Sequence, residues 1–376
     1  MSSNGKRWQA SSPIARSISK ESRKTSIRSG GFPSPGSTSS GRRDESAAII
    51  TRRRRHPRWT DTQSPHTMPT MAKPRKPWLD YLTYLGVRLV AALFLCFPID
   101  VNLKTARLLG LIWWRLIPRH RQRAMDHVRQ SFGSAMSEDQ VRRIALASMQ
   151  HLVMMVVEVF VAGRLITECS WSRHVRLNDL THVMPHMLRD RPTILITGHY
   201  GNFELLGYLM ARLGIEIVAV MRPLDNPYLN EWLVDMQQRG GLELMYKKGA
   251  SQGGQDVLDR GGMLCFIADQ DAGRKGIFVD FFGRKASTYK AIGLLAMRYN
   301  APIIIGYARR CSQNFKYEVG ITRVIEPHEW ADRDDDLAWV TQEYTSAIEQ
   351  FVRDDPSQYL WIHRRWKTRP KNERTA

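Results

Sequence analysis

Between residues 193 and 310 the sequence alternates short apolar runs with longer amphipathic ones, and this alternation restricts the fold more than any other feature. "TILIT" (193 to 197), "IEIVAVM" (215 to 221), "LELMY", "GMLCFIAD" (262 to 269) and "APIIIGYARR" (301 to 310) have the length and apolar, often β-branched content of strands. Between them, "NFELLGYLMARLG" closes on Gly214, "NPYLNEWLVDMQQRGG" on Gly240 and Gly241, Gln255 to Arg260 belongs to a helix, and "TYKAIGLLAMRYN" (288 to 300) is another. Upstream, Ser137 opens a helix running to about Ala162, with acids in its first turn; His151 and the methionines within it read as packing. Strand and helix in turn predict an α/β fold with a largely parallel central sheet flanked by helices. Functional groups in such sheets gather beyond the carboxyl ends of strands. His199 lies at one such end and Asp269-Gln270-Asp271 at another.

The stretch "ITGHYGNFELLG" (196 to 207) is where chemistry is expected. Gly198 and Gly201 let the backbone turn sharply and leave His199 open to a substrate. The helix beginning near Asn202 directs its amino terminus at the histidine, which disfavours imidazolium and keeps the ring neutral, as a general base requires. Glu204, five residues on, is expected to reach back to the other ring nitrogen and fix its tautomer. The same two residues also suit a purely structural arrangement, a histidine capping a helix and an acid at its amino end. Without a Gly-x-Ser-x-Gly elbow, a P-loop or an HExxH motif, the nucleophile is expected to come from the substrate: an alcohol deprotonated by histidine and directed at an activated acyl carbonyl.

The net charge of +20 is unevenly spread. Residues 1 to 77 hold 17 Lys/Arg against 4 Asp/Glu, including the run Arg52 to Arg55, and are rich in Ser, Pro and Gly without apolar periodicity, so they read as a disordered basic tail. Met68 and Met71 are alternative starts. The remainder carries 39 against 32 and is only mildly basic, which gives no reason to expect a specific nucleic-acid partner. Cys96, Cys169, Cys265 and Cys311 show neither CxxC spacing nor a histidine partner, which indicates no zinc site and no disulfide framework.

Residues 78 to 118 change character. Tyr81 to Pro98 is apolar with Arg88 inside, Lys73, Arg75 and Lys76 precede it, and Arg115, Arg119, Arg121 and Arg123 flank the second apolar run. Basic residues on both sides suit helices lying in a membrane interface, with Trp113 and Trp114 at headgroup level, as well as a single span. The catalytic body is then 119 to 370, facing the cytosol from an inner membrane, followed by a tail of 371 to 376.

Four motifs in order, "GHYGNFE", "MRPLDNP" (221 to 227), "ADQDAGRKGIFVDFFGRKAST" (268 to 288) and "QYLWIHRRWKTRP" (358 to 370), resemble the bacterial lipid A biosynthesis (lauroyl/myristoyl-type) acyltransferases of the lysophospholipid acyltransferase superfamily. The likeness runs from about Trp78 to Pro370; phenylalanine follows Asn202 where tryptophan is frequent, and glutamine is the middle residue of Asp269-Gln270-Asp271. The resemblance implies a glycerol-3-phosphate acyltransferase-like fold with N-terminal membrane helices. It also implies transfer of a fatty acyl chain from acyl carrier protein, or coenzyme A, to a hydroxyl of a lipid A precursor, with no cofactor and no metal. His199 becomes the general base and Glu204 its partner. Substrate contacts fall on Asn202, on Arg222 or Arg239, on Asp269 and Asp271, and on Arg364. On the residues alone, Asp269 also suits orienting Arg222 or His199, and the basic cluster of Arg364, Arg365, Lys367 and Arg369 suits either docking of phosphorylated lipid or an acidic carrier, or a solvated strand. Another lipid acceptor, such as a lysophospholipid, glycolipid or ornithine lipid, fits the same motifs; a non-enzymatic polyanion-binding role would rest on the tail alone.

Overall fold

The computed structural model describes residues 76–178, 180–188, 191–246 and 250–371. The predicted basic tail, with the run at 52 to 55 and the alternative starts, lies outside the described residues. Every described residue belongs to one compact unit within Ala72–Ala376.

Four helices come first: α1 (Pro77–Leu95), α2 (Ile99–Leu116), α3 (Pro118–Phe132) and α4 (Glu138–Leu165). Proline opens α1 and α3, where its missing N–H costs nothing. Ser137 and Gln140 close a reciprocal capping box on α4, which fixes the start that the sequence indicates. Then follow β1 (Val175–Asn178), α5 (Met184–Leu188), β2 (Thr193–Thr197), α6 (Phe203–Arg212), β3 (Ile217–Met221), α7 (Pro227–Arg239), β4 (Glu243–Tyr246), α8 (Ala250–Asp259) and β5 (Met263–Ile267). The chain continues as β6 (Ile277–Phe281), β7 (Arg284–Thr288), α9 (Lys290–Arg298), β8 (Ile303–Arg310), β9 (Tyr317–Ile325) and α10 (Asp336–Asp354).

Seven strands form one sheet in the order β1-β9-β8-β2-β5-β3-β4. The five from β8 to β4 are parallel; β9 returns antiparallel to β8 and carries β1 parallel to itself. The predicted α/β fold with a largely parallel sheet flanked by helices is thus the observed one, with an antiparallel edge. β2 is buried along its whole length, as befits a central strand covered on both faces. Its side chains alternate: Ile194 and Ile196 enter one apolar layer with Ile303 and Ile305, while Leu195 enters the other with Ile304 and α6.

β6 and β7 form a separate hairpin whose two-residue turn, Phe282-Gly283, has positive φ at both positions (54° and 67°). Phenylalanine is an unusual occupant. Phe282 is held by packing on Trp361 and Phe132 and by donating its backbone N–H to Glu349. Phe281 and Phe282 are core residues and Phe278 is half-buried.

Both α1 and α4 are long and apolar enough to cross a membrane. They differ in what surrounds them. α4 is half buried within the protein and carries the fully buried Glu158, so it is a core helix. α1 leaves Trp78, Leu82, Leu89 and Leu93 more than half exposed, and α2 adds Leu108 and Leu116 to the same class. Trp114 does not sit at an outer surface as expected: it is 4% exposed, packed into the core beneath Arg121.

Candidate active site

The register of β2 on β5 builds the centre of the site. Thr197 lies opposite Ile267, and the Ala268 N–H donates to the Thr197 carbonyl at 2.9 Å, so two residues beyond each strand His199 and Asp269 stand face to face. Asp269 Oδ1 is 2.7 Å from His199 Nδ1, and its Oδ2 accepts the His199 backbone N–H at 3.0 Å. A carboxylate only accepts, so Nδ1 carries the proton and Nε2 of the neutral ring keeps its lone pair. The imidazole is 11% exposed and the carboxyl 1%.

The loop between β2 and α6 is held on several sides. Gly201 has φ +55°, and a Cβ there would stand 2.0 Å from the Ala308 carbonyl oxygen, so glycine is demanded by both conformation and space. Its carbonyl accepts from His151 Nε2 at 2.9 Å and its N–H donates to Gln358 at 3.1 Å. His151 therefore does more than pack, although burial, the largest influence, and the Arg310 charge push its pKa down to about 4. Asn202 caps α6 by accepting the Leu205 N–H and donates at 2.9 Å to Glu158, which also takes Arg310 and Tyr317. Asn202 is 2% exposed and spent on these contacts, so its expected place at the substrate is corrected to a structural one.

Glu204 is half-buried and close enough to His199 for their charges to interact, but the hydrogen bond of its carboxylate is to the Gln237 amide. The expected partner of the second ring nitrogen is thus corrected from Glu204 to Asp269: the strand register delivers Asp269 there, whereas Glu204 is in the first turn of α6. Burial pushes the Glu204 pKa up, opposed by Gln237 and His199. For His199, burial is the largest single influence and lowers its pKa, but the Asp269 charge, the hydrogen bond from it and the Glu204 charge together outweigh burial, and the net shift is upward. The expectation that the helix dipole keeps the ring neutral is reversed in sign by this carboxylate. Asp269 itself, despite the upward pull of burial, is held far below the usual carboxylate range by His199.

A C-terminal segment covers the site. Tyr359 bridges to Tyr200, the Leu360 N–H donates to the His199 carbonyl at 3.0 Å, and His363 lies nearly parallel to His199 with ring centroids 5.6 Å apart. Burial foremost holds the His363 pKa at about 4. Arg365, 1% exposed, donates to the carbonyls of Gln270 and Ser287 and to the Thr288 hydroxyl. Asp271 accepts from the Thr368 N–H and hydroxyl, at 3.2 and 2.9 Å. Of the expected basic cluster, Arg364 and Lys367 are exposed and Arg369 is half-buried, whereas Arg365, Trp361 and Trp366 are interior; Asp271 is an anchor for this segment rather than an open substrate contact.

The remaining expected contacts are exposed. Arg222 follows β3 on the same edge of the sheet as His199, 84% exposed and 4.0 Å from Asp225. Arg239 ends α7, 78% exposed and paired with Asp235. The residues missed from sequence are Gln358, His363 and Glu158, with His151 taken for packing. Their signal, polar side chains inside apolar runs, is visible only when the fold shows what they face.

A histidine–carboxylate pair thus stands at the carboxyl edge of a parallel sheet, an arrangement in which an imidazole can take up a proton. Residues 70–368 match the family model of the bacterial lipid A biosynthesis acyltransferase, and the chain belongs to that family; it is an acyltransferase. It is 24% identical over 293 residues to the lipid A biosynthesis lauroyltransferase of Escherichia coli, covering 77% of this chain and 93% of that one. It is 28% identical over 199 residues to the lipid A biosynthesis palmitoleoyltransferase of the same organism, covering 52% and 63%. Among solved structures, the 1-acyl-sn-glycerophosphate acyltransferase of Thermotoga maritima aligns with a TM-score of 0.30 at 11% identity, over 69% of this chain and 97% of that one.

Proposed function

We propose that the protein transfers a fatty acyl chain from an acyl carrier protein thioester, or from coenzyme A, to a hydroxyl of a lipid A precursor, with His199 as general base oriented by Asp269. The observation that carries this reading is the 2.7 Å contact between His199 Nδ1 and Asp269 Oδ1, which leaves Nε2 as the proton acceptor. The acceptor hydroxyl gives its proton to Nε2 as its oxygen bonds to the thioester carbon. Asp269 stabilises the imidazolium so formed, and collapse of the tetrahedral intermediate returns that proton to the leaving thiolate. Glu204 adds negative potential from within the protein without touching the ring. Arg222 and Arg364, exposed and cationic, suit phosphate groups of the acceptor or acidic side chains of the carrier. The apolar face of α1 and α2 would seat the enzyme on the inner membrane, the catalytic unit on the cytoplasmic side. His199→Ala is expected to lower the rate of acyl transfer by about 10²–10⁴-fold while the far-ultraviolet circular dichroism is unchanged. Near-full turnover of that variant with acyl carrier protein donor would overturn the assignment.

A further inference from the structure

The reactive nitrogen of His199 is already occupied. Gln270 Nε2 lies 3.1 Å from His199 Nε2, and since Nδ1 holds its proton toward Asp269, the amide N–H donates to the imidazole lone pair. An alcohol cannot use that lone pair while the amide holds it. Gln270 differs from its two neighbours. Asp269 and Asp271 are each fixed by two contacts, to His199 and to Thr368, whereas the Gln270 side chain is exposed and makes this contact from a backbone held rigid. That rigidity comes from the buried Arg365, which donates to the Gln270 carbonyl at 3.1 Å and is itself fixed by Ser287 and Thr288. A fixed backbone with an exposed side chain lets the amide swing away without disturbing Asp269.

We propose that Gln270 is a positioning residue that holds the His199 lone pair in the substrate-free enzyme and is displaced by the hydroxyl of the acceptor. The contact holds the Nε2 side of the ring as Asp269 holds the Nδ1 side. It also competes with the acceptor, so removing it makes acceptor binding easier. This rests on His199 being the general base. The groups facing the ring are Asp269 at Nδ1, Glu204 from α6, His363 over its face and the apolar Phe203 at its edge, and none of them is altered by changes at Gln270.

The test compares Gln270→Ala with Gln270→Glu in the full chain, purified in detergent, using lauroyl-acyl carrier protein as donor and a lipid A precursor as acceptor. Nitrogen-15 spectra of the His199 side chain are recorded against pH. In Gln270→Ala, loss of a donor to the neutral ring raises the apparent pKa of His199, and at pH values above that pKa the KM for the acceptor falls about two- to tenfold, the worth of one exchanged hydrogen bond. In Gln270→Glu, the carboxylate accepts from protonated Nε2, raises that pKa further and lowers kcat at neutral pH. Opposite kinetic effects of the two variants are the expected result. A higher acceptor KM in both, or an unmoved His199 resonance in Gln270→Ala, would overturn the proposal. If His199→Ala keeps its turnover while the resonance still responds to Gln270, the base assignment fails and the contact stands.

Discussion

At His199 two carboxylates compete for the ring, and their geometry ranks them. Asp269 hydrogen-bonds Nδ1 directly, whereas Glu204 acts only through its charge while Gln237 takes its hydrogen bond. A general base works when neutral, so kcat/KM rises with pH through a His199 pKa that lies above the ordinary imidazole value, and falls below it. In Asp269→Asn the charge and hydrogen bond of Asp269 are lost and only the Glu204 charge still opposes burial, so the acid limb is expected to move to lower pH as kcat drops; Glu204→Gln should shift the limb the same way by less. Profiles of kcat/KM against pH for the two variants test this ranking, and a larger shift in Glu204→Gln would reverse it. The sequence shows that a histidine ends a strand and that acids lie nearby. It does not show which acid, because a spacing of five residues is visible by eye and a spacing of seventy is not. Only the neighbour relation of β2 and β5 makes Asp269 the nearer one.

Among the elements, α4 shows how composition can mislead. It passes any length and hydropathy test for a membrane span, yet Glu158 within it is 0% exposed and bound to Arg310, Tyr317 and Asn202. Burial foremost raises the Glu158 pKa, and Arg310 opposes it. Removing one partner of such a pair leaves an uncompensated buried group, so Arg310→Met is expected to cost about 3–5 kcal/mol, read from urea unfolding followed by circular dichroism. A cost below about 1 kcal/mol would mean that Glu158 is protonated and indifferent to its partner. The central strands, α4, α6 to α9 and the Ser137 cap are legible in the sequence because local periodicity and capping chemistry agree with the fold, whereas α10 has no counterpart in that reading. β9, β1 and the β6–β7 hairpin are not: their pairings are long-range, or, as in "FFGRK", a two-residue turn hides behind a phenylalanine at positive φ.

For the whole molecule the question is how it meets lipid. The exposed apolar side chains gather on α1 and α2, while another side of α1 packs on α7 through Tyr81, Tyr84, Tyr228 and Trp232. A helix that is apolar and open on one side and packed on another suits insertion beside the catalytic unit. Leu89→Glu with Leu93→Glu is therefore expected to reduce co-flotation with phospholipid vesicles several-fold, with activity on detergent-dispersed acceptor preserved; unchanged flotation would place the membrane contact elsewhere. At the sheet's centre, His199 and Asp269 meet through the pairing of two buried parallel strands, with no lid or domain closure needed to join them. Competence for proton transfer is then acquired when the middle of the protein folds and surrendered when it melts. A warmed preparation should lose turnover and its β-sheet spectrum at one shared temperature, leaving no interval in which a folded centre is idle.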